Sequence, residues 1–600
     1  MRSFFLMIPL LLAAAAQGQP LAGLYGVELD GSPWGPVAGA AAAAFTEAGY
    51  TVERLPEDFF SGGTPPDLSR FAVLVLPDAG RLPKDALSAL EAFARQGGGI
   101  AALNTPLGRE ALVPLNGRWM TVPAFREAYA AETPKTPLVD FAAEDISTWR
   151  PGFRTAEMAG KHTVANGALL VEIAKMDGWD TFAKDFASSP FPGGHTATLV
   201  RARAVRNATH LAVEWTEADG SRWIASMPLS PEWRDYVLTP EDFHFWESVP
   251  ARAGTVFNPE NARSLTLTQA FTHTGYADRD LAYEVATVHT APLSEEASAA
   301  LRGHKPVKLE TLCPAYKFFP VADTARMRAR GCLEGIGDPG LPGAFMGLHP
   351  RPTPNGFDKG RAYAWEPLLA AESASGDYRG AVAALMTHAD GPFKGSLWAS
   401  FAVQDPAWYL SPAGGEALAR TARRIKEPVV LVDGGADFFT CLEGQELRLG
   451  ATLFNRGPEA VEGLRVTASL TVGGAAPFEA AEDAVRLAPG ESRQIAFPVP
   501  AFDGAATASV RVERGGETVA AAAHEVREWK PRATPKYVTA ADGRFELGGA
   551  RWRPHGINYM PSSGIATEDQ PYFERWLSRR SYDPEVIQRD LERCRNMGCN

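Results

Sequence analysis

Apolar positions change their spacing repeatedly along this chain, and each change marks a different kind of element. Residues 21–27 read as a strand. Residues 36–49, with an alanine run and Phe45, read as a helix closed by Gly49, and 50–55 as a strand again. The run Phe71-Ala-Val-Leu-Val-Leu-Pro77 is almost continuously apolar, as in a parallel strand covered on both faces. Within 83–96, Ala86, Leu87, Leu90 and Phe93 fall at helical spacing, and Gly97-Gly-Gly99 turns the chain into strand 100–103. Such strand–helix alternation predicts a doubly wound α/β domain.

Near residue 137 the period drops to two. Ala168-Leu-Leu-Val-Glu-Ile173, His210-Leu-Ala-Val-Glu-Trp215, Arg222-Trp-Ile-Ala-Ser226 and Ser264-Leu-Thr-Leu-Thr268 alternate between turn residues, which predicts an all-β sandwich over 137–292. Strand and helix patterns return after Pro292, with strands at 381–387 and 395–403 and a helix at 415–425. Residues 21–135 and 294–426 are therefore expected to form one discontinuous α/β domain around an inserted sandwich. The Pro- and Gly-rich stretch 337–355 reads as a surface loop. A second all-β stretch covers 428–529, and proline stiffens a linker at 530–541. Within 542–600, Val586, Ile587, Leu591, Cys594 and Met597 follow a helical period over 583–598, with Pro584 at its start and Gly598 at its end.

Composition narrows the function classes. A chain of 600 residues exceeds one core, so several domains are expected. A net charge of −12 argues against a nucleic-acid partner. Met1-Arg-Ser, an apolar run over 4–16 and small residues at Ala14, Ala16 and Gly18 have the anatomy of a secretory signal, taken as 1–18. The product is expected to be secreted or periplasmic, with no membrane span after cleavage. The cysteines show no metal-ligand spacing; Cys313 and Cys332 are either a pair or two buried free thiols.

Resemblances to known families follow from these segments. The 21–135 pattern resembles class I glutamine amidotransferase-like domains, in particular the non-catalytic copies attached to glycosidases. Catalytic members carry a nucleophilic Cys on the turn after the strand that the Gly-rich run introduces. Here that turn is Asn104-Thr-Pro-Leu-Gly108, so a structural or oligomerising role, including a homo-oligomer, is implied instead. His388 is read as a surface residue at a strand end. An amidotransferase or peptidase would need Cys313 or Cys332 on a tight turn beside a His.

Phe141-Ala-Ala-Glu-Asp145, Trp179-Asp-Thr181 and 231–243 resemble galactose-binding-like jelly rolls of bacterial glycosidases, and Leu487-Ala-Pro-Gly490 onward resembles an Ig-like spacer. Phe545-Glu-Leu-Gly-Gly-Ala-Arg-Trp-Arg-Pro-His-Gly556 resembles the hairpin under the (β/α)8 barrel of clan A glycoside hydrolases, nearest to family 5. The implied fold class is multidomain α/β plus all-β: an amidotransferase-like domain with an inserted jelly roll, an Ig-like sandwich, then the truncated start of a barrel whose first strand is 554–559.

The implied chemistry is retaining hydrolysis of a β-linked poly- or oligosaccharide, without cofactor or metal. It uses two carboxylates about 5–5.5 Å apart. In the family these lie on barrel strands four and seven, which are expected beyond residue 600, so the chain itself is expected to be inactive. Glu241-Asp242 and Glu568-Asp569 read as solvated loop charges. Asn558 and Tyr559 are candidate edges of a substrate cleft, and Tyr572, Phe573 and Trp576 a candidate stacking surface. Of Trp179, Trp215, Trp223, Trp233 and Trp246, most are expected in the sandwich core. Trp246, beside Phe243, His244 and Phe245, is the candidate sugar platform. The reading of a different class is a non-catalytic carbohydrate-binding or cell-surface scaffold.

Overall fold

The computed structural model describes residues 19–600 apart from 28, 30, 61–65, 116, 177, 247, 276–278, 302–315, 351–356, 358–360, 531–532 and 560–583. The signal-like segment, Cys313, Glu568-Asp569 and the candidates Tyr572, Phe573 and Trp576 lie outside the described residues. The chain divides into two compact units, one of residues 1–109 with 307–600 and one of 110–306. Both are built mainly from strands. No helix of the described residues is long and apolar enough to cross a membrane.

The first unit contains a mixed sheet of ten strands. Thr51–Arg54, Leu21–Leu24, Val73–Leu76, Gly99–Leu103 and Leu397–Phe401 lie side by side and parallel. Val73–Leu76 is buried at every residue, which explains its unbroken apolar run. The helices Gly35–Glu47 and Pro412–Lys426 share one core through Val37, Ala41 and Phe45 on the first and Leu418, Ala422 and Ile425 on the second. Phe93 of the helix Lys84–Arg95 lies over Gly98; a Cβ there would stand 2.4 Å from its ring, so this turn admits only glycine.

Beyond Leu397–Phe401 the pairing becomes antiparallel, through Tyr378–His388, Tyr363–Glu372, Arg326–Ala329, Gly347–Pro350 and Tyr316–Phe319. Gly347–Pro350 falls inside the stretch read as a surface loop. Ladder pairing there overrides a composition rich in Pro and Gly. His388 also departs from expectation. It is 5% exposed, between Tyr363 and Phe393 at ring distances of 6.0 and 5.6 Å.

Three strands (Val429–Ala436, Arg448–Asn455, Ser492–Pro498) face a five-stranded sheet to form the second sandwich. Leu449, Leu453, Val466, Leu470, Val510 and Val512 fill the space between. Arg456 fastens this sandwich to the α/β part by donating to the carbonyl of Ile425 at 2.9 Å, in the last turn of Pro412–Lys426. A cation belongs at that negative helix end.

The C-terminal part carries one correction. Val538–Ala541, Arg544–Leu547 and Ala550–Trp552 form a three-stranded meander, and its first strand falls within the expected linker. Residues 554–559 were expected to form a strand, but they have no ladder partner among the described residues and run as irregular chain. A strand exists only through its neighbour. The helix Pro584–Asn596 does form, and Gly598 follows at φ +87°.

The second unit is an antiparallel two-sheet sandwich. One sheet runs in the order Lys161–Ala165, Ala168–Ile173, Leu281–Pro292, His195–Arg206, Arg234–Leu238, with Thr136–Asp140 also on Leu281–Pro292. The other runs His244–Trp246, Arg222–Pro228, His210–Glu217, Ala262–Ala270, Trp179–Asp185, Arg150–Phe153. Trp215 and Trp223 stand opposite each other on the inner face of this second sheet, at 0% and 1% exposure. Their indole N–H groups donate to Thr198 Oγ1 and Ser221 Oγ. Residues 110–135 also fold in this unit, not with the α/β domain that sequence assigned them to. Phe125 and Tyr129 of the helix Val122–Glu132 pack on Ala197, Leu199 and Val237, and Arg126 pairs with Asp242 at 2.6 Å. Asp242 is thus tied down in an ion pair, where sequence suggested a solvated charge.

Burial lowers the pKa of His388 from 6.5 to about 4. A histidine held neutral in the folded state contributes stability that is fully present above pH 6.5 and lost as pH falls towards 4. The gap is worth about 3 kcal/mol. His388→Phe is expected to flatten the fall of the first unit's melting temperature between pH 6.5 and 4.5. Equal slopes for the two proteins in calorimetric scans would show that His388 is not the group responsible.

Candidate functional site

The outer face of the sheet that runs from His244–Trp246 to Arg150–Phe153 is read directly from its ladder. Residues opposite each other on neighbouring strands share a face. One outer row is Trp246, Arg222, Thr216, Ser264, Asp185. The next is His244, Ile224, Glu214, Thr266, Ala183, Arg150. A third is Ser226, Ala212, Thr268, Thr181, Gly152. Small residues fill the middle of every row, so the face sinks into a groove of about 450 Å³. Thr266, Ser264 and Ala183 on its floor are less than a tenth exposed although they point away from the core.

Two ion pairs stand at either side of this floor. Arg222 grips Glu214 with two parallel bonds, Nε–Oε1 at 2.6 Å and Nη2–Oε2 at 2.7 Å. Arg150 grips Asp185 in the same manner, both at 2.9 Å. The fork geometry leaves further guanidinium N–H groups and carboxylate lone pairs free to meet hydroxyl groups. The pairs differ in setting: the Glu214 side chain is 6% exposed, whereas Arg150 and Asp185 are 65% and 59% exposed. Arg263 and Phe186 also line the groove, beyond Ser264 and Asp185.

A short helix, Phe271–Thr274, packs against the strands His210–Glu217 and Ala262–Ala270. Ser226 Oγ on the outer face donates to the carbonyl of His273 at 2.8 Å. The His273 ring meets Trp246 edge-on, with centroids 4.5 Å apart. Burial lowers the pKa of His273, with Glu214 opposing and Arg222 reinforcing the shift, so the ring is neutral at pH 7.

Trp246 is therefore half-buried with its ring against His273, less open than its sequence neighbours suggested, and it is not among the residues that line the groove. Trp215 and Trp223 are core, and Trp233 lies 4.9 Å from the Arg203 guanidinium. Trp179 is the most open of the set at 46%, close in sequence or pairing to the exposed Phe153 and Phe271. Asn558 is exposed, and the Tyr559 hydroxyl donates to Asp590 at 3.2 Å. Trp576 is outside the described residues. Sequence reasoning missed Arg150, Asp185, Glu214, Arg222 and Arg263. Their signal was present in the polar half of each alternation, as in Glu214-Trp-Thr216 and Arg222-Trp-Ile224.

The turn after Gly99–Leu103 passes through the left-handed backbone region. Asn104 sits there at φ +59°, 2% exposed, its amide donating to Asp78 Oδ1 at 2.6 Å. Gly80 presses against this turn, where a Cβ would stand 2.6 Å from the Asn104 carbonyl. Burial pushes the Cys332 thiol up to about 12, the opposite of an activated nucleophile. Cys332, Cys441, Cys594 and Cys599 are free thiols. Among the described residues no group of three or more His, Cys, Asp or Glu side chains could hold a metal ion.

No family model matches the chain, and no curated protein does. Similar solved structures include the family 11 carbohydrate-binding module of a cellulosomal cellulase of Clostridium thermocellum. It is 13% identical over 27% of this chain and 96% of that one, with a TM-score of 0.22. A carbohydrate-binding module of family 29 is 10% identical over 27% of this chain and 90% of that one, TM-score 0.19. An agarase is 8% identical over 38% and 39%, TM-score 0.22. Likenesses of this size decide neither fold nor ligand.

The two ion pairs should respond differently to truncation. Arg222→Ala strands the nearly buried Glu214 and is expected to destabilise the second unit by about 2–3 kcal/mol. Arg150→Ala breaks an exposed pair and is expected to cost less than about 1 kcal/mol. Urea unfolding of the two variants checks the order; equal losses would mean that Glu214 is solvated.

Proposed function

We propose that residues 110–306 are a carbohydrate-binding module that holds one chain of a poly- or oligosaccharide in the groove across its outer sheet. The observation that carries this reading is the groove's composition: a floor of small side chains between two bidentate Arg–carboxylate pairs. Sugar rings offer adjacent hydroxyls that donate and accept at once, and each pair presents both kinds of partner in fixed positions. Trp246, held edge-on by His273, adds a partly open indole at the edge for a sugar's C–H face. A shallow cleft lined mainly by polar and small side chains suits a single extended chain better than a small apolar ligand, whose sites are deeper and mostly hydrophobic.

The larger reading places this module in a secreted or periplasmic retaining glycoside hydrolase. It rests on the resemblance of 545–556 to the hairpin of a clan A barrel and on the helix Pro584–Asn596 where the first barrel helix is expected. On this reading the amidotransferase-like part and the second sandwich are supports. The α/β part is also the candidate surface for a homo-oligomer, and the carbohydrate-binding scaffold stands as the alternative for the whole.

Affinity electrophoresis of the full chain through gels containing single polysaccharides tests the module. At least one glycan is expected to retard it. Thr266→Tyr, which fills the floor, is expected to abolish retardation, and Trp246→Ala to weaken binding roughly tenfold, about 1.4 kcal/mol. Retardation that survives Thr266→Tyr, with the melting temperature unchanged, would exclude the groove as the binding site.

A further inference from the structure

We infer that this groove is built for a glycan carrying an anionic substituent, a uronate carboxylate or a sulfate ester, and that Arg263 receives it. The inference rests on the carbohydrate-binding reading above and names its substrate class. Three guanidiniums line the groove, Arg150, Arg222 and Arg263, against two carboxylates, Asp185 and Glu214. The first two guanidiniums are committed to those carboxylates by two bonds each. Arg263 is different. Its Nη1 donates to the carbonyl of its neighbour Ala262 at 2.8 Å, and its remaining donors have no carboxylate partner among the described residues. An arginine carries five N–H donors, so most of this fork is left for a ligand.

The groove is therefore cationic by one charge within a chain of net charge −12. A long-range field of that sign repels polyanions, so an unmatched cation in the cleft serves recognition at close range rather than steering from afar. The surroundings of Arg263 suit an acidic sugar. The backbone N–H of Phe186 donates to the Arg263 carbonyl at 2.7 Å, which brings the two residues to one end of the groove. Arg263 supplies a planar fork for the anion, and the neighbouring Arg150–Asp185 pair donors and acceptors for hydroxyls. A neutral chain would fill the same cleft but leave that fork to water.

The test is binding of the full chain to polygalacturonate, to a sulfated galactan, and to neutral agarose and mixed-linkage β-glucan, by calorimetry at low and at raised salt. An acidic polymer is expected to bind roughly tenfold or more tightly than the neutral ones at low salt, with the preference shrinking as salt rises. The two acidic polymers separate carboxylate from sulfate. Arg263→Gln is expected to erase the preference, and Arg263→Lys to restore part of it, both at an unchanged melting temperature. Because Arg326 and Arg330 flank Glu372 in the first unit and offer another cationic spot, a preference that survives Arg263→Gln overturns the inference. Binding of neutral polymers without any acidic preference also overturns it and leaves the carbohydrate-binding reading intact. Failure of every polymer to bind removes both.

Discussion

The burial of Trp215 and Trp223, side by side on the inner face, sets what the outer face of their sheet can do. Side chains alternate on a strand, so burying these two indoles puts Glu214, Thr216 and Arg222 outside. A slip of one residue in His210–Glu217 would exchange its faces, driving Glu214 into the core and exposing Trp215. Burial of two tryptophans is worth several kcal/mol, whereas burying an isolated charge costs at least as much. The register is therefore held by the core, and the groove inherits its geometry. A site that rides on core register needs no loop to shape its floor.

This dependence explains how much of the molecule was legible in the sequence. Period two over 210–226 and 262–270 announced strands, and most of the tryptophans of 137–292 were expected in the core. What the sequence pattern did not show was which strands are neighbours. Arg150 and Asp185 belong to adjacent strands, Arg222 and Glu214 likewise, but the two pairs meet across one floor only because Ala262–Ala270 inserts between them. No local signal encodes that order. Attention to aromatic residues misled in the same way: Trp246 was chosen for its aromatic neighbours, while the polar residues between the core positions were passed over. The α/β part shows the complementary case. Helices and parallel strands over 21–103 follow from local spacing, but the buried state of His388 depends on Phe393 and Tyr363, which a strand-end position does not reveal.

The first unit gains coherence through charges at element ends rather than through more apolar area. Arg456 reaches from the second sandwich to the last turn of Pro412–Lys426, and Arg514 reaches back to Glu427 at 2.8 Å. A small apolar set, Ala364 and Ala389 against Val430, Val432 and Phe454, closes the same junction. Helix C-terminal carbonyls need donors, and here a neighbouring domain supplies them. Swivelling at this junction would strand those carbonyls and a buried guanidinium together.

Rigidity matters in the groove for a related reason. Each Arg–carboxylate pair is already satisfied before a ligand arrives, so binding need not order either side chain, and the entropy that long side chains lose on binding is already spent in folding. Such pairs cannot give high affinity on their own, because a sugar hydroxyl replaces water at similar strength. They give selectivity through position: a ring whose hydroxyls do not match leaves a desolvated carboxylate or guanidinium without a partner, and the penalty falls on the wrong ligand. Arg263, the guanidinium without a carboxylate, inverts this logic at one end of the cleft. There the unmet donors belong to the protein, and only an anion on the ligand completes them.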